Sequence, residues 1–322
     1  MRTIEFRNPE RIAMSCPAPF PNDFAGAGIR SAPDAPTLPR WKTERSERWK
    51  DEWGNTWERV DTRVSGEVVE GAITDWSQLE SYRMPNLDDE RRFTGAEEIF
   101  AKNPDKYRIG WLPGFPFSIG RNIRKLEFFL EDLVAHPDEI RELCNRIADL
   151  LDRIIRIYAR LGADGVMFCE DWGCQDRLMI SPRMWRTFFR PYFERLGGLT
   201  KQLGIHLLMH SCGYVYDIIP DLVECGVRVL QFDQPRLHGI ERLSKNFGGK
   251  VAFWCPVDIQ TTLQTGDREK IRADAKLMIE KLGCFGGGFI GGYYGSNEGI
   301  GAHPDWQKWA CEAFLEYGTY RK

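Results

Sequence analysis

The stretch Gly165-Val-Met-Phe-Cys169, followed by a helical segment over 181–203 and then by Ile205-His-Leu-Leu-Met209, decides the fold. Short apolar runs of this kind are typical of strands that are buried on both faces. Ser181 is suited to cap the intervening helix, and Pro182 is suited to its first position. The stretch therefore predicts a strand–helix–strand unit of a parallel sheet covered by helices.

The same alternation of strands and helices continues on both sides of this unit. Apolar positions that recur at intervals of three and four residues indicate the helices. The further strands are predicted at 11–15, 108–112, 228–232, 251–254 and 287–290, with an eighth within 58–70, and the further helices at about 123–133, 137–161, 217–225, 239–247 and 267–282.

The sequence favours a closed barrel over an open sheet, because polar residues follow nearly every predicted strand, as the mouth of a (β/α) barrel requires. No Gly-x-Gly-x-x-Gly motif follows Cys16 or Leu112, which argues against a dinucleotide-binding fold. The glycine-rich stretch 286–301 has no Lys-Ser/Thr after its glycines, which excludes a P-loop. We therefore expect an α/β fold of the (β/α)8 TIM-barrel type.

The length of 322 residues is compatible with one domain, since barrels reach this size. We expect a single barrel domain over 1–322, in which 1–105 contribute the first strand and an N-terminal elaboration and 106–322 form the main barrel. Within the elaboration, 21–50 are rich in Pro, Gly and charge and predict a long loop. Gly54-Asn55, between Trp53 and Trp57, predicts a hairpin turn.

Composition excludes several classes of protein. Lys and Arg number 44 against 47 Asp and Glu, for a net charge of −3, so no basic nucleic-acid surface is indicated. No apolar run reaches the roughly 18 residues that a membrane span needs. The first residues lack the apolar segment of a secretory signal, and the nine cysteines are an odd number, which argues against a disulfide framework. We expect a soluble, cytoplasmic protein with reduced thiols.

His210 and Cys212 form the sharpest pair at a predicted strand end. One residue separates them, and strand side chains alternate with a period of two, so both point the same way. Imidazole and thiolate are ligands that zinc favours. Cys255, two strands further on, is the candidate third ligand, and Glu170 is a possible source of an oxygen ligand. The alternative is a buried histidine beside an unrelated core cysteine.

Three carboxylates follow predicted strands and are the candidate catalytic residues. Glu170 and Asp171 are successive, so at most one of them aims into the barrel. Such a group can act as an acid, a base or a partner of a cation, or it can cap a neighbouring loop. Asp258 is a candidate for contacts with polar groups of a substrate, with capping of the following helix as the alternative.

Amides and aromatic rings after the strands complete the predicted mouth. Aromatic side chains at a barrel mouth can line a substrate pocket, or they can simply pack in the core. The candidate substrate-binding residues are Trp172, Gln175, Tyr214, Gln231, Trp254, Gln260 and Tyr294.

These motifs together resemble the uroporphyrinogen decarboxylase superfamily. The resemblance implies a (β/α) barrel, in agreement with the strand pattern. The stretches that carry it include Gly162-Ala-Asp-Gly165, Glu170-Asp-Trp-Gly-Cys-Gln175, Ile180-Ser-Pro182, His210-Ser-Cys-Gly213 and the segments 253–260 and 286–290.

Within the superfamily the chain looks more similar to the corrinoid-dependent methyltransferase branch than to the heme-pathway decarboxylase. The decarboxylase has an early Arg-Gln-Ala-Gly-Arg segment that grips substrate carboxylates, where this chain has Ser15-Cys-Pro-Ala-Pro19. The methyltransferases bind zinc through a His-x-Cys pair and a later cysteine. His210 and Cys212 match the pair, but the later position falls in Gly291-Gly-Tyr-Tyr-Gly295, so Cys255 would have to substitute.

The resemblance implies transfer of a methyl group from a small donor, such as an aryl methyl ether, to a cobalamin. No Asp-x-His-x-x-Gly corrinoid motif occurs in the chain, so a separate corrinoid protein would carry this cofactor. Zinc would act as a Lewis acid, and Glu170 or Asp171 would protonate the leaving group or complete the metal shell.

Two other functions remain open at this point. One is a metal-free decarboxylase or other lyase that acts on an aromatic or tetrapyrrole carboxylate through Asp171 and Asp258. The other is a non-catalytic barrel that binds a corrinoid or a tetrapyrrole.

Overall fold

The computed structural model describes residues 1–63 and 65–320, and two β-sheets organise it. Eight parallel strands form a nearly closed barrel, and four antiparallel strands form a separate small sheet. The strands are β1 (Ala13–Met14), β2 (Phe24–Ala27), β3 (Arg40–Lys42), β4 (Glu47–Lys50), β5 (Thr56–Arg59), β6 (Glu67–Glu70), β7 (Tyr107–Trp111), β8 (Gly165–Cys169), β9 (His206–His210), β10 (Val227–Gln231), β11 (Ala252–Cys255) and β12 (Phe289–Gly291).

The barrel confirms the predicted (β/α)8 class. Neighbouring strands follow the order β1-β12-β11-β10-β9-β8-β7-β2, so the chain winds round the barrel in one direction from β7 to β12. The predicted strand at 165–169 is found with the same bounds as β8, and the other predicted barrel strands are found within about two residues.

The prediction that 58–70 contains the eighth strand of the barrel is wrong. Glu67–Glu70 pairs antiparallel with β5 in the small sheet, and the missing barrel strand is β2, which lies in the stretch predicted to be a long loop. That stretch also contains β3 and β4. The sequence of β2, Phe-Ala-Gly-Ala, has no β-branched residue and stands among prolines and glycines, so it carries little strand signal.

The small sheet has the order β3-β4-β5-β6 and confirms the predicted hairpin. Gly54 has a φ of +89°, a conformation that glycine adopts without strain, and it lies in the turn between β4 and β5. Asp51 Oδ1 accepts hydrogen bonds from the backbone N–H groups of Trp53 and Asn55, which fixes this turn.

A local hairpin joins the two edge strands of the barrel. Ser15 and Asn22 form an antiparallel bridge, and Asp23 N–H donates to the Met14 carbonyl at 2.9 Å. The Asp23 carboxylate accepts two hydrogen bonds from the Arg11 guanidinium and one from Met14 N–H. Residues 11–23 thus tie β1 to β2 across the seam of the barrel.

Helices surround the barrel, and every predicted helix is found, whereas the helices at 94–102 and 304–317 were not predicted. Ser181 caps the helix Pro182–Phe188 by accepting a hydrogen bond from Met184 N–H at 3.2 Å, as expected. The predicted helix over 181–203 is interrupted at Phe189, and the one near 123–133 is interrupted at Lys125, which has a φ of +69°. The helices are α1 (Thr94–Lys102), α2 (Pro116–Arg124), α3 (Leu126–Ala135), α4 (Pro137–Arg160), α5 (Pro182–Phe188), α6 (Arg190–Gln202), α7 (Ile219–Glu224), α8 (Ile240–Phe247), α9 (Arg268–Leu282) and α10 (Pro304–Tyr317).

Two apolar cores follow from the alternation of side chains along each strand. On β8, Met167 belongs to the inner cluster that fills the barrel, whereas Val166 and Phe168 belong to the outer cluster between the barrel and the helices. On β9, Leu208 points inward, and Leu207 and Met209 point outward. Within the described residues, no helix combines the length and the apolar character needed to cross a bilayer.

Candidate functional site

The carboxyl ends of β8, β9 and β10 bring polar side chains together at the mouth of the barrel. His210 is in register with Cys169 of β8 on one side and with Gln231 of β10 on the other. The alternation of side chains continues just beyond the strands. Asp171 therefore lies on the same face as Cys169, and Cys212 lies on the same face as His210.

Asp171, His210 and Cys212 form a cluster of candidate metal ligands. One ligand atom from each residue lies within 4.8 Å of the other two. Cys212 Sγ is 3.3 Å from His210 Nε2, and His210 Nε2 is 3.5 Å from Asp171 Oδ1. A sulfur, a nitrogen and an oxygen donor suit zinc, and three protein ligands leave a fourth position for a substrate. The residues present therefore fit a catalytic zinc ion.

Electrostatics keep the Cys212 thiol protonated in the absence of a cation. Burial raises its pKa well above the ordinary value, and the negative charges of Asp171 and Asp233 raise it further. Asp171 Oδ1 also accepts a hydrogen bond from Cys212 N–H at 2.8 Å, which holds the two residues side by side. A metal ion at the cluster would stabilise the thiolate, which is the form that binds metals.

A hydrogen-bonded chain orients the His210 imidazole. His210 Nδ1 contacts Gln231 Oε1, and Gln231 Nε2 donates to Asp233 Oδ1 at 2.8 Å. The carboxylate accepts only from the NH2 end of the amide, so Asp233 sets the orientation of the Gln231 side chain. The amide oxygen then accepts the proton of Nδ1, which leaves the Nε2 lone pair directed at Cys212 and Asp171. This is the arrangement that a metal-binding histidine requires.

A cavity of about 360 Å³ lies in the barrel mouth next to this cluster. Gln231 and Asp233 belong both to its wall and to the chain that orients His210. Two of the predicted substrate-binding aromatic residues, Trp254 and Tyr294, line the cavity together with Gln231. The remaining lining residues are Ser15, Asn22, Phe24, Gly26, Ile109, Trp111, Met167, Tyr293 and Gly295.

Glu170 does not face the mouth. Its side chain is buried behind the barrel, where Oε1 accepts hydrogen bonds from Phe117 N–H (2.7 Å) and Ser118 N–H (3.2 Å) at the start of α2. Oε2 accepts from the Trp172 indole at 2.9 Å. Burial raises the pKa of Glu170 to about 8, against the effect of these donors. Of the two successive carboxylates, Asp171 is the one at the mouth.

Several other candidate residues also lie outside the cavity. Trp172 is fully buried and stacks on Phe117, with ring centroids 3.8 Å apart. Tyr214 stacks on His238, and Gln175 and Gln260 are exposed. Asp258 is buried, and its carboxylate accepts hydrogen bonds from backbone N–H groups of 236, 260 and 261. The next helical turn, over 263–265, has Thr262 as its N-cap, so Asp258 fixes loop backbone and neither lines the cavity nor caps the following helix.

Cys255 is not part of the ligand cluster. It is fully buried in the outer core, whereas its neighbour Trp254 belongs to the inner cluster of the barrel. Because strand side chains alternate, Trp254 and Cys255 cannot both point inward. Within the described residues, the third candidate ligand beside His210 and Cys212 is Asp171.

The structure adds residues to the site that sequence reasoning missed. Asp233 lies two residues after Gln231, and Trp111 lies two residues after Ile109 on β7, so the side chains of each pair point to the same face. This alternation of side chains was the signal in the sequence that could have identified Asp233 and Trp111. Phe24 and Gly26 were missed together with their strand, β2.

Residues 68–317 match the family model described as uroporphyrinogen decarboxylase (URO-D). The chain belongs to this family. The match extends over β6 to α10 and thus covers the ligand cluster and most of the barrel.

The relatives found within the URO-D family fit the corrinoid methyltransferase branch. The methylcobamide:CoM methyltransferase MtaA of Methanosarcina barkeri (strain Fusaro / DSM 804) is 20% identical over 212 residues, which are 66% of this chain and 59% of that protein. A second M. barkeri MtaA sequence is 20% identical over 55% of this chain and 50% of its own length. This URO-D chain therefore spans only about half to three fifths of these relatives.

A solved structure supports the fold. A methyltransferase from Methanosarcina mazei superposes with a TM-score of 0.64 at 16% identity, covering 83% of this chain and 76% of that one. At this identity the likeness concerns the barrel architecture of the URO-D chain.

Proposed function

We propose that this chain is a zinc-dependent methyltransferase that moves a methyl group between a small molecule and a corrinoid held by a separate protein. The observation that carries the proposal is the cluster of Asp171, His210 and Cys212 at the mouth of a URO-D barrel. The similarity to methylcobamide:CoM methyltransferases supports the reaction class.

Asp171, His210 and Cys212 would hold the zinc ion. The ion would supply Lewis acidity to an oxygen or sulfur atom of the small molecule. Gln231 and Asp233 would keep His210 in the tautomer that binds the metal. Asp171 would also position Cys212 through its backbone N–H.

The cavity next to the cluster would bind the small molecule. Its volume of about 360 Å³ is at the lower end of the range for ligand sites, which suits a compact substrate. The aromatic wall formed by Phe24, Trp111 and Trp254 accommodates a flat ring, so a small methyl ether such as an aryl methyl ether is a suitable donor. The corrinoid protein would dock over the open mouth, and the two proteins would meet in the cytoplasm.

The placement of Asp258 weakens the metal-free lyase alternative. Its carboxylate is occupied by backbone N–H groups, and among the described residues that line the cavity there is no Arg or Lys to grip a carboxylate substrate. Asp171 would be left as the acid–base residue without the partner that this alternative needs.

Metal analysis of the purified protein tests the proposal first. We expect about one zinc ion per chain, and we expect His210→Ala and Cys212→Ser to lose it. Cys255→Ser is the matched control and should keep the metal, because its sulfur lies in the outer core. A protein that contains no zinc and cannot be loaded with it would contradict the proposal.

The second measurement follows the corrinoid spectrum. Purified protein is mixed with free cob(I)alamin and a panel of methyl ethers and thioethers, and formation of methylcobalamin is recorded. We expect methyl transfer to depend on His210 and Cys212 and not on Cys255. Transfer that persists at the wild-type rate in His210→Ala would argue against a role of the cluster.

A further inference from the structure

The wall of the mouth cavity is rich in aromatic rings. Five of its lining residues are aromatic, and Phe24 and Trp254 stack with ring centroids 4.8 Å apart. The faces of such rings carry partial negative charge, and they attract cations when several of them surround a site. The aromatic lining residues are Phe24, Trp111, Trp254, Tyr293 and Tyr294.

The charge on the wall of the cavity is negative. Asp233 is the charged residue among those that line it, and no Lys or Arg of the described chain contributes to its wall. Within the described residues, Asp233 forms no ion pair with Lys or Arg, and its Oδ2 accepts no hydrogen bond. A half-buried carboxylate without a cationic partner is unfavourable, and a positively charged ligand would remove this cost.

Binding of zinc at the neighbouring cluster would not reverse this sign. The charge of the divalent ion would be balanced by the Asp171 carboxylate and the Cys212 thiolate, which leaves Asp233 uncompensated. The cavity would still repel an anionic group and favour a cationic one.

We propose that the mouth cavity binds the ammonium end of a small cationic molecule, a tertiary or quaternary amine, between the aromatic rings and Asp233. The inference rests on the proposed function in assigning this cavity to the substrate, and it narrows the substrate class to amine-bearing methyl ethers or thioethers. The ether oxygen or thioether sulfur would face the Asp171–His210–Cys212 cluster, and the ammonium group would face the aromatic rings and Asp233. Molecules that end in a sulfonate or carboxylate are excluded from this class.

Three probes that share a hydroxyethyl group and differ in the charge of the other end test the proposal. They are choline, its neutral isostere 3,3-dimethylbutan-1-ol, and the anion 2-hydroxyethanesulfonate. Binding to the full chain is measured by calorimetry and by tryptophan fluorescence at low ionic strength. We expect choline to bind about 5- to 30-fold more tightly than the neutral alcohol, and the sulfonate to bind more weakly than both. Equal affinities, or tighter binding of the sulfonate, would overturn the proposal.

Asp233→Asn isolates the contribution of the charge. Asparagine keeps an oxygen that can accept from Gln231 Nε2, so this hydrogen bond can persist, although the amide no longer enforces its direction. Choline affinity should fall about tenfold while the affinity of the neutral alcohol stays the same. Gln260→Ala, at an exposed position, is the control and should change neither. An unchanged affinity for choline in a folded Asp233→Asn protein would overturn the role of Asp233.

These binding experiments are independent of methyl transfer. If the zinc analysis and the corrinoid assay succeed and the probes bind without regard to charge, only the cationic substrate class falls. If choline binds selectively and no zinc is found, the proposed reaction fails and the cation site stands. Should Asp233→Asn fail to fold, as judged by circular dichroism, the order of the three probes on the wild-type protein decides.

Discussion

The indole nitrogen of Trp111 rests against Gly26, at the place where any other residue would carry its Cβ. A Cβ built on Gly26 would lie 2.5 Å from Trp111 Nε1, far closer than van der Waals contact allows. Gly26 on β2 therefore makes room for an aromatic ring from the adjacent strand β7. One wall of the mouth cavity depends on this absence of a side chain.

Gly26→Ala should displace the Trp111 indole. We expect either a loss of about 1–3 kcal/mol in the free energy of unfolding from overpacking, or an indole that turns toward solvent. Urea unfolding and the tryptophan emission spectrum measure the two effects. Gly28→Ala is the matched control, since a Cβ there meets no atom within 4 Å. Identical behaviour of the two variants would contradict the packing described.

Gln231→Ala should weaken zinc binding without removing a ligand. Loss of the amide frees the His210 ring to rotate and to change tautomer, and loss of such an outer partner typically costs 10- to 100-fold in metal affinity. Competition with a chromophoric chelator measures the dissociation constant. Gln175→Ala, at an exposed position near the mouth, should leave it unchanged. A wild-type affinity in Gln231→Ala would show that the amide does not orient His210.

Glu170→Ala should destabilise the fold rather than act on the site directly. The substitution leaves the buried N–H groups of Phe117, Ser118 and Trp172 without an acceptor, which we expect to cost about 3 kcal/mol or more. Glu170→Gln keeps one acceptor oxygen for the two backbone N–H groups and leaves the Trp172 indole without an acceptor, so it should cost less, about 1–2 kcal/mol. Chemical unfolding of both variants measures the difference. Equal stability of the two variants would contradict this role.

Because Asp221 pairs with Arg186 and Arg190, we expect the protein to lose stability in acid. Burial alone would raise its pKa, but the hydrogen bonds from Arg186 and Arg190 lower the pKa below the ordinary value. A carboxylate with a depressed pKa in the folded state stabilises the protein above its unfolded pKa, and this contribution disappears as the pH falls through the folded value. The stabilisation should therefore be complete at pH 7 and should decline below about pH 4.

Asp221→Asn separates this effect from general acid unfolding. At pH 7 the variant should lose about 1–2 kcal/mol, a modest figure because both arginines are partly exposed. The gap between wild type and variant should narrow as the pH is lowered from 6 to about 2.5 in urea titrations. A gap that stays constant over this range would exclude the ion pair as its source.

The barrel and the centre of its site could be predicted from the sequence because both depend on local periodicity. The spacing of His210 and Cys212 places both side chains on the inner face once β9 is recognised. The same rule, applied to Trp254, would have excluded Cys255 from the ligands. That residues 1–322 form a single domain stays a prediction.

Other parts of the site depend on contacts between distant segments. Trp172 is removed from the mouth by stacking with Phe117 of α2, and Glu170 turns outward to cap that same helix. The sequence next to Glu170 and Trp172 does not indicate that α2 supplies the contacts of both side chains. β2 was missed because its four residues form a strand through pairing with β7 and not through their own propensity.

The seam between β1 and β2 has a consequence for the order of folding. The hairpin over 11–23 can form early, because its bridge joins Ser15 to Asn22, but β1 gains its strand partner only when Ala13 meets Ile290. Contacts across such a separation are slow to form, because a long loop must close first. During synthesis β1 therefore stays unpaired on one edge until Ile290 has emerged. We expect barrel closure to be the last step of folding, and the exposed edge of β1 to be where a chaperone or a misfolded pairing would act.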